Sequence, residues 1–211
     1  MGANTYGTIG KVKARRGKIH EYLGIKLDYT QKGKVIEYVE SMVKYFSEKD
    51  LQVTKVMTPW NDNLFKVRDK STKLPRLRAE RFHMVTAQGI FLCKHGRPDI
   101  SPAIAYLTTR MRIHNEDDWE KSVRMMQYLK HTKNDRLTLA ADEFVVANWH
   151  VDASFAVHPD LRSHTGIGVT FGKGFPINIS HKQSINTRSS TEAELVAADD
   201  AMGPILWTNI S

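Results

Sequence analysis

The stretch ANWHVDASF, residues Ala147–Phe155, decides the fold of the second half of this 211-residue chain. Under the two-residue period of a β-strand, Ala147, Trp149, Val151, Ala153 and Phe155 share one face. Asn148, His150, Asp152 and Ser154 share the other. An acid midway along so strong a strand is unusual, because a buried carboxylate is costly unless it is paired or holds a metal. Asp152 reads either as a residue on a solvated strand edge or as a ligand.

Other short segments rich in Val, Ile, Thr and aromatics surround it, at 137–141, 165–172 and 175–180. Glycines at 166, 168, 172 and 174 suit tight turns or bulges. A helix is expected to start near Thr191. Ser189 and Glu192 fit the S-x-x-E capping box, in which the serine caps the helix and the glutamate reaches back to the cap amide. Glu194 points elsewhere, since successive helix residues turn by about 100°. It is either a surface glutamate or free for another task. Asp199 and Asp200 lie roughly 140° and 240° round the helix from Glu194, so both are expected to be exposed. Pro204, after Gly203, is expected to break or kink the helix.

The texture upstream is helical. Val35, Val39, Met42, Val43 and Phe46 recur at helical spacing, and helical patterns return at 78–93 and 101–113. A third helix is expected after Asn115, a good N-cap, with Glu116, Asp117 and Asp118 favouring the dipole of its first turn. Its apolar stripe is Trp119, Val123, Met126 and Leu129. Residues 18–29 read as a strand followed by a turn signal at Gln31-Lys32-Gly33. Residues 54–76, with Pro59, Pro75 and many charges, read as a loop or linker. The helical and strand-rich parts meet near 131–136.

Composition narrows the partners. The net charge of +8 points to a polyanion. The excess gathers in Lys11, Lys13, Arg15, Arg16 and Lys18, and again in Lys66, Arg68, Lys70, Lys73, Arg76, Arg78 and Arg81. Such clusters serve equally as solvated faces. There is no apolar run long enough to span a membrane and no secretion signal at Met1–Tyr6, so an intracellular, unsecreted protein is expected. The single cysteine, Cys93, reads as a small core residue. His150, His158, His164 and His181 fit no zinc spacing and are expected at solvated or strand-edge positions. Trp119, Trp149 and Trp207 are expected to pack in the core, with base stacking as the other reading.

Taken in order, several motifs resemble one family. Trp149-His-Val-Asp152-Ala-Ser-Phe-Ala-Val, Ser163-His-Thr-Gly166, Lys182-Gln183 and Ser189-Ser-Thr-Glu-Ala-Glu194-Leu look like the RNase H domain of Ty1/copia retroelements. Gly96-Arg-Pro-Asp-Ile100 is similar to that family's RPDI element. Asp118-Trp119 followed by Tyr128-Leu-Lys-His-Thr132 is similar to its YLKGT helix. His20-Glu-Tyr-Leu-Gly24-Ile resembles the strand that grips the primer in the polymerase.

The resemblance implies an α+β or α/β chain: a helical thumb- and connection-like segment, then an incomplete RNase H-like mixed sheet with a packed helix. It implies three parts. Residues 1–53 would hold the end of the polymerase palm, its primer-grip hairpin and a thumb-like helix. Residues 54–133 would be a linker and helical region, and 134–211 the first part of RNase H. It implies Asp152 and Glu194 as catalytic ligands of Mg²⁺, with Mn²⁺ as the alternative ion. Tyr22, Gly24, Lys182, Gln183 and Ser190 would touch nucleic acid, with an RNA/DNA hybrid or primer-template as partner. The family's Tyr-x-Asp-Asp polymerase site is expected upstream of residue 1, and its third RNase H acid beyond residue 211. The chain alone is therefore expected to support no polymerisation and little cleavage. Two alternatives stand beside this: a non-catalytic nucleic-acid-binding remnant, and a decayed retroelement copy.

Overall fold

The computed structural model describes residues 19–22, 25–28, 36–51, 56–135, 137–141 and 146–210. The chain divides into two compact units, Met1–Lys34 and Val35–Ser211. In the first, the alternation at 18–29 resolves into two antiparallel strands rather than one, β1 (Ile19–Tyr22) and β2 (Ile25–Asp28), with Tyr22 opposite Ile25. The turn signal at 31–33 and the basic cluster at 11–18 lie outside the described residues.

The second unit begins with α1 (Ile36–Val43) and the single turn α2 (Glu48–Leu51). After an irregular segment come α3 (Arg76–His95), α4 (Ser101–Arg110) and α5 (Glu116–His131), with one 3-10 turn at Pro98–Ile100. Pro75 ends the irregular segment, and α3 buries Phe82, Val85, Thr86, Gly89, Leu92 and Cys93, one stripe at helical spacing. Gly96 closes it by donating its N–H to the Leu92 carbonyl. Pro102 sits in the first turn of α4, where its missing N–H costs nothing. Asn115 caps α5 in a full capping box: its side chain accepts from the Asp118 N–H, and the Asp118 carboxylate accepts from the Asn115 N–H.

These helices enclose one core built on Met42, Phe82, Leu92, Ile104, Leu107, Met125, Met126 and Leu129, with Trp119 stacked on Phe46. Each large side chain so buried contributes roughly 1.5–3 kcal/mol. Asp118 is 0% exposed in that core; Arg110 neutralises it, with Nε 3.0 Å from Oδ1. The segment at 56–75 is irregular, as expected, yet it buries Val56, Pro59, Leu64 and Leu74, and Lys73 bridges to Asn115. Apolar anchors rather than backbone ladders hold it.

The strand-rich part contains β4 (Asn148–Ser154), β5 (His164–Thr170) and β7 (Ile177–Lys182), in the order β4-β5-β7. Two short strands, β3 (Ala140–Ala141) and β6 (Gly172–Lys173), pair apart from it. The expected mixed sheet is antiparallel throughout among the described residues. Connections of six to nine residues are too short for the crossover a parallel pair needs. Helix α6 (Ser190–Ile210) packs on β4 and β5 through Ala193, Ala197 and Ala201. It runs through Pro204 rather than ending there. The proline deprives only the Asp200 carbonyl of its partner, and the rest of the ladder continues. Trp207, expected in the core, is 71% exposed. The fold is thus mixed helix plus a small antiparallel sheet, and α4 packs directly on β7.

Candidate functional site

Strand β4 alternates exposed and half-buried residues along its whole length, so Asp152 stands on the more open face with His150 and Ser154. The identity of that face follows from register. Ala153 lies opposite Thr165, and the Thr165 hydroxyl donates to Asp200 of α6 at 2.9 Å. The Ala153–Thr165 face therefore meets α6, and Asp152 leaves the sheet on the other side. There it lines an open cleft of about 870 Å³ together with Asp99, Ser101, His150, Phe175 and Asn178. Phe175 stands edge-on to His150, 5.5 Å between ring centroids. A Cβ at Gly168 would come 2.7 Å from the Phe175 ring, so any side chain there would push that ring aside.

Glu194 reaches the same strand from the helix side. Its Oε1 accepts the Ala153 N–H at 3.2 Å. That nitrogen is roughly 2.4 Å from the Asp152 Cα by covalent geometry. The helix acid is thus anchored one residue along from the strand acid, and both side chains are exposed. The helix start that sets this spacing is as expected in its cap: Ser189 accepts from the Glu192 N–H at 3.1 Å. Glu192 reaches one residue further back than the capping box requires, accepting from the Arg188 N–H.

The remaining residues singled out from sequence are spread around this point. Lys182, at the end of β7, donates to Asp160 in the loop after β4. Gln183 is only 1% exposed, and its amide donates to the Thr165 hydroxyl and the Ala193 carbonyl, tying the start of α6 to β5. Ser190 is the exposed first residue of α6. Tyr22 ends β1, while Gly24 lies outside the described residues. Among the described residues no group of three His, Cys, Asp or Glu could hold a metal.

Three polar groupings escaped the sequence reading. Asp200 is not exposed as expected: besides Thr165 it takes His181 Nε2 at 3.0 Å. Asp200 and Glu194 both reach the sheet, on the cross-strand partners Thr165 and Ala153. His158 and His164, expected at solvated or strand-edge positions, form a buried pair with Nε2 and Nδ1 3.0 Å apart, and His164 Nε2 meets Ser180 at 2.8 Å. Phe65 stands against both rings. Burial, then the charge of Lys182, pushes the His158 pKa down to about 4. Burial, then His158 and His181, pushes that of His164 to about 3. Third, the RPDI-like and YLKGT-like motifs meet. Arg97 donates to Asp99 and to the Thr132 carbonyl and hydroxyl, and Tyr128 donates to Asp99 at 2.7 Å. Burial alone would raise the Asp99 pKa, but Arg97 and Tyr128 outweigh it and hold the carboxyl below its usual range.

Comparison with known proteins follows the motifs. The chain is 26% identical over 193 residues to a putative transposon Ty5-1 protein of Saccharomyces cerevisiae, covering 88% of this chain and 61% of that protein. It is 25% identical over 191 residues to the retrovirus-related Pol polyprotein from transposon RE2 of Arabidopsis thaliana, covering 90% of this chain and 13% of that polyprotein. Against the Pol polyprotein from transposon TNT 1-94 of Nicotiana tabacum it is 30% identical over 112 residues, 53% of this chain and 8% of the relative. The chain thus spans under two thirds of each. No protein-family model matches it. No solved structure matches it. Its homologues are Ty5-like and Ty1/copia-type retrotransposon Pol polyproteins, at modest identity over most of its length. The motif resemblance is borne out at that level.

Proposed function

We propose that this chain is the reverse transcriptase–RNase H region of a retrotransposon polyprotein, and that Asp152 and Glu194 serve Mg²⁺-dependent cleavage of RNA in RNA/DNA hybrids. The observation that carries the reading is the hydrogen bond from the Ala153 amide to Glu194. It anchors the helix carboxylate to the backbone of β4 one residue from Asp152, whose own side chain leaves the sheet on the face away from α6.

Hard, exposed carboxylate oxygens suit Mg²⁺, which takes one or two carboxylates and keeps several waters. Two such ligands fit one hydrated ion, and a two-ion clamp needs more. When bound, the ion would supply an activated water and stabilise the leaving oxygen. The chain's own contribution is positional. The Ala153 N–H holds one Glu194 oxygen, and among the described residues the other has no partner. Asp152 faces the open cleft, where His150 and Phe175 border the space a substrate strand would enter.

Mn²⁺ provides the test, because it broadens NMR signals near its site. Broadening should centre on residues 150–154 and 192–196, vanish in Asp152→Asn and persist in Glu192→Gln. Broadening centred elsewhere would overturn the ligand assignment. In a parallel assay, labelled RNA/DNA hybrid should be cleaved weakly at most by the chain alone. Robust cleavage that survives Asp152→Asn would sink the catalytic role of that residue.

A further inference from the structure

We propose a second nucleic-acid contact, in the pocket between the 56–75 segment and α5: it takes one nucleotide, the phosphoryl group on Arg124 and Lys66 and the base on Trp60. The pocket encloses about 520 Å³, within the range of small-molecule sites.

Its electrostatics are lopsided in a specific way. Lys66, Arg68, Lys121 and Arg124 line it against two carboxylates, Asp117 and Glu120. Ion pairs absorb two of the cations. Arg68 Nη2 lies 2.6 Å from Glu120 and 3.5 Å from Asp117, and Lys121 Nζ lies 2.9 Å from Asp117. Arg124 has no carboxylate among the described residues. Its Nη2 donates to the Thr58 hydroxyl at 3.0 Å, and its buried Nε finds no acceptor there. An unsatisfied buried donor is a standing penalty until something accepts from it.

A guanidinium short of acceptors matches a phosphate, whose oxygens take its forked N–H groups in pairs. Exposed Lys66 adds charge from the facing wall. The surplus is small, and Asp117 and Glu120 would repel a polyphosphate, so a singly charged phosphodiester or a monophosphate fits best. Trp60 completes the site. Its carbonyl accepts from Thr58 at 2.7 Å, its indole is half-buried against the helical core, and it lines the pocket. An indole so held stacks on any base without regard to sequence.

Only the choice of an oligonucleotide as probe rests on the function proposed above. The test is fluorescence anisotropy of labelled oligo-dT with the full chain, in EDTA at low salt. Arg124→Gln and Trp60→Leu should each weaken binding about tenfold, the scale of losing one charge-assisted contact or one stacked base. Trp60→Phe should stay within about threefold, since it keeps a stacking ring. Arg76→Gln, which removes an exposed cation that does not line the pocket, should leave affinity nearly unchanged, and EDTA keeps the proposed metal site out of the measurement. Competition identifies the source: dTMP displacing the probe assigns a free nucleotide, and failure of dTMP with success of unlabelled strand assigns a phosphodiester. Displacement by inorganic phosphate as readily as by dTMP overturns the base contact. Unchanged affinity in folded Arg124→Gln and Trp60→Leu, checked by circular dichroism, overturns the site.

Discussion

The His158–His164 pair turns burial into a pH response. Both rings are neutral in the folded chain because the surroundings penalise charge, with pKa values near 4 and 3, against about 6.5 in the unfolded chain. Below pH 6.5 the unfolded state therefore binds more protons, and stability falls as pH falls. The loss should be on the order of 2 kcal/mol per ring by pH 5, at 1.36 kcal/mol per pH unit. Urea midpoints measured from pH 7.5 to 5 should drop accordingly, and His164→Gln should flatten the profile by about half. An unchanged midpoint across that range would mean the rings are not buried as a neutral pair. Neither histidine was legible in the sequence as a buried group. His158 belongs to no regular element, and only the fold brings Phe65 and Ser180 to the pair. Asp152 was more legible, because strand alternation needs only local geometry to assign its face.

Helices were read well where one apolar stripe repeats over several turns. The stripe of α3 includes Gly89, a residue that weakens an isolated helix by roughly 1 kcal/mol relative to alanine. Packing explains it: a Cβ there would sit 2.1 Å from Ile104 Cδ1 and 3.0 Å from Cγ1. Gly89→Ala gains helix propensity but overpacks a site where Ile104 is almost wholly buried, and overpacking costs about 1–3 kcal/mol. The clash should win, lowering stability by about 1 kcal/mol net. Ile104→Val removes the offending methyl, so the double variant should be more stable than Gly89→Ala alone. Additive losses in that double-mutant cycle would show that the two helices do not touch there. The course of α6 was less legible. Its start followed from Ser189, but its continuation through Pro204 and the burial of Asp200 depend on the sheet beneath. Rotation angles about an isolated helix cannot report on that sheet.

At the scale of the molecule, the change of texture near 131–136 reads as a boundary, yet the helices and the sheet fall in one compact unit. Asn178 on β7 shows how they are joined. Its carbonyl accepts from Lys94 at 2.7 Å, its Oδ1 accepts from Ser101 at 2.8 Å, and its Nδ2 donates to the Cys93 carbonyl at 3.3 Å. One side chain thus satisfies groups on α3 and α4 at once. No sequence pattern marks it, since a polar residue on an alternating strand reads simply as outward-facing. Helical and sheet signals should therefore melt together in the native chain, as they do in a single cooperative unit. Asn178→Ala leaves the Ser101 hydroxyl without its acceptor and the Cys93 carbonyl without a donor, a loss of about 1–3 kcal/mol. It should also separate the transitions, so that amide exchange in β5 and β7 accelerates ahead of that in α5. If both parts still unfold at one midpoint with an unchanged urea slope, the apolar contacts of Phe65 and Tyr106 with the histidine pair, rather than this bridge, bind the halves together.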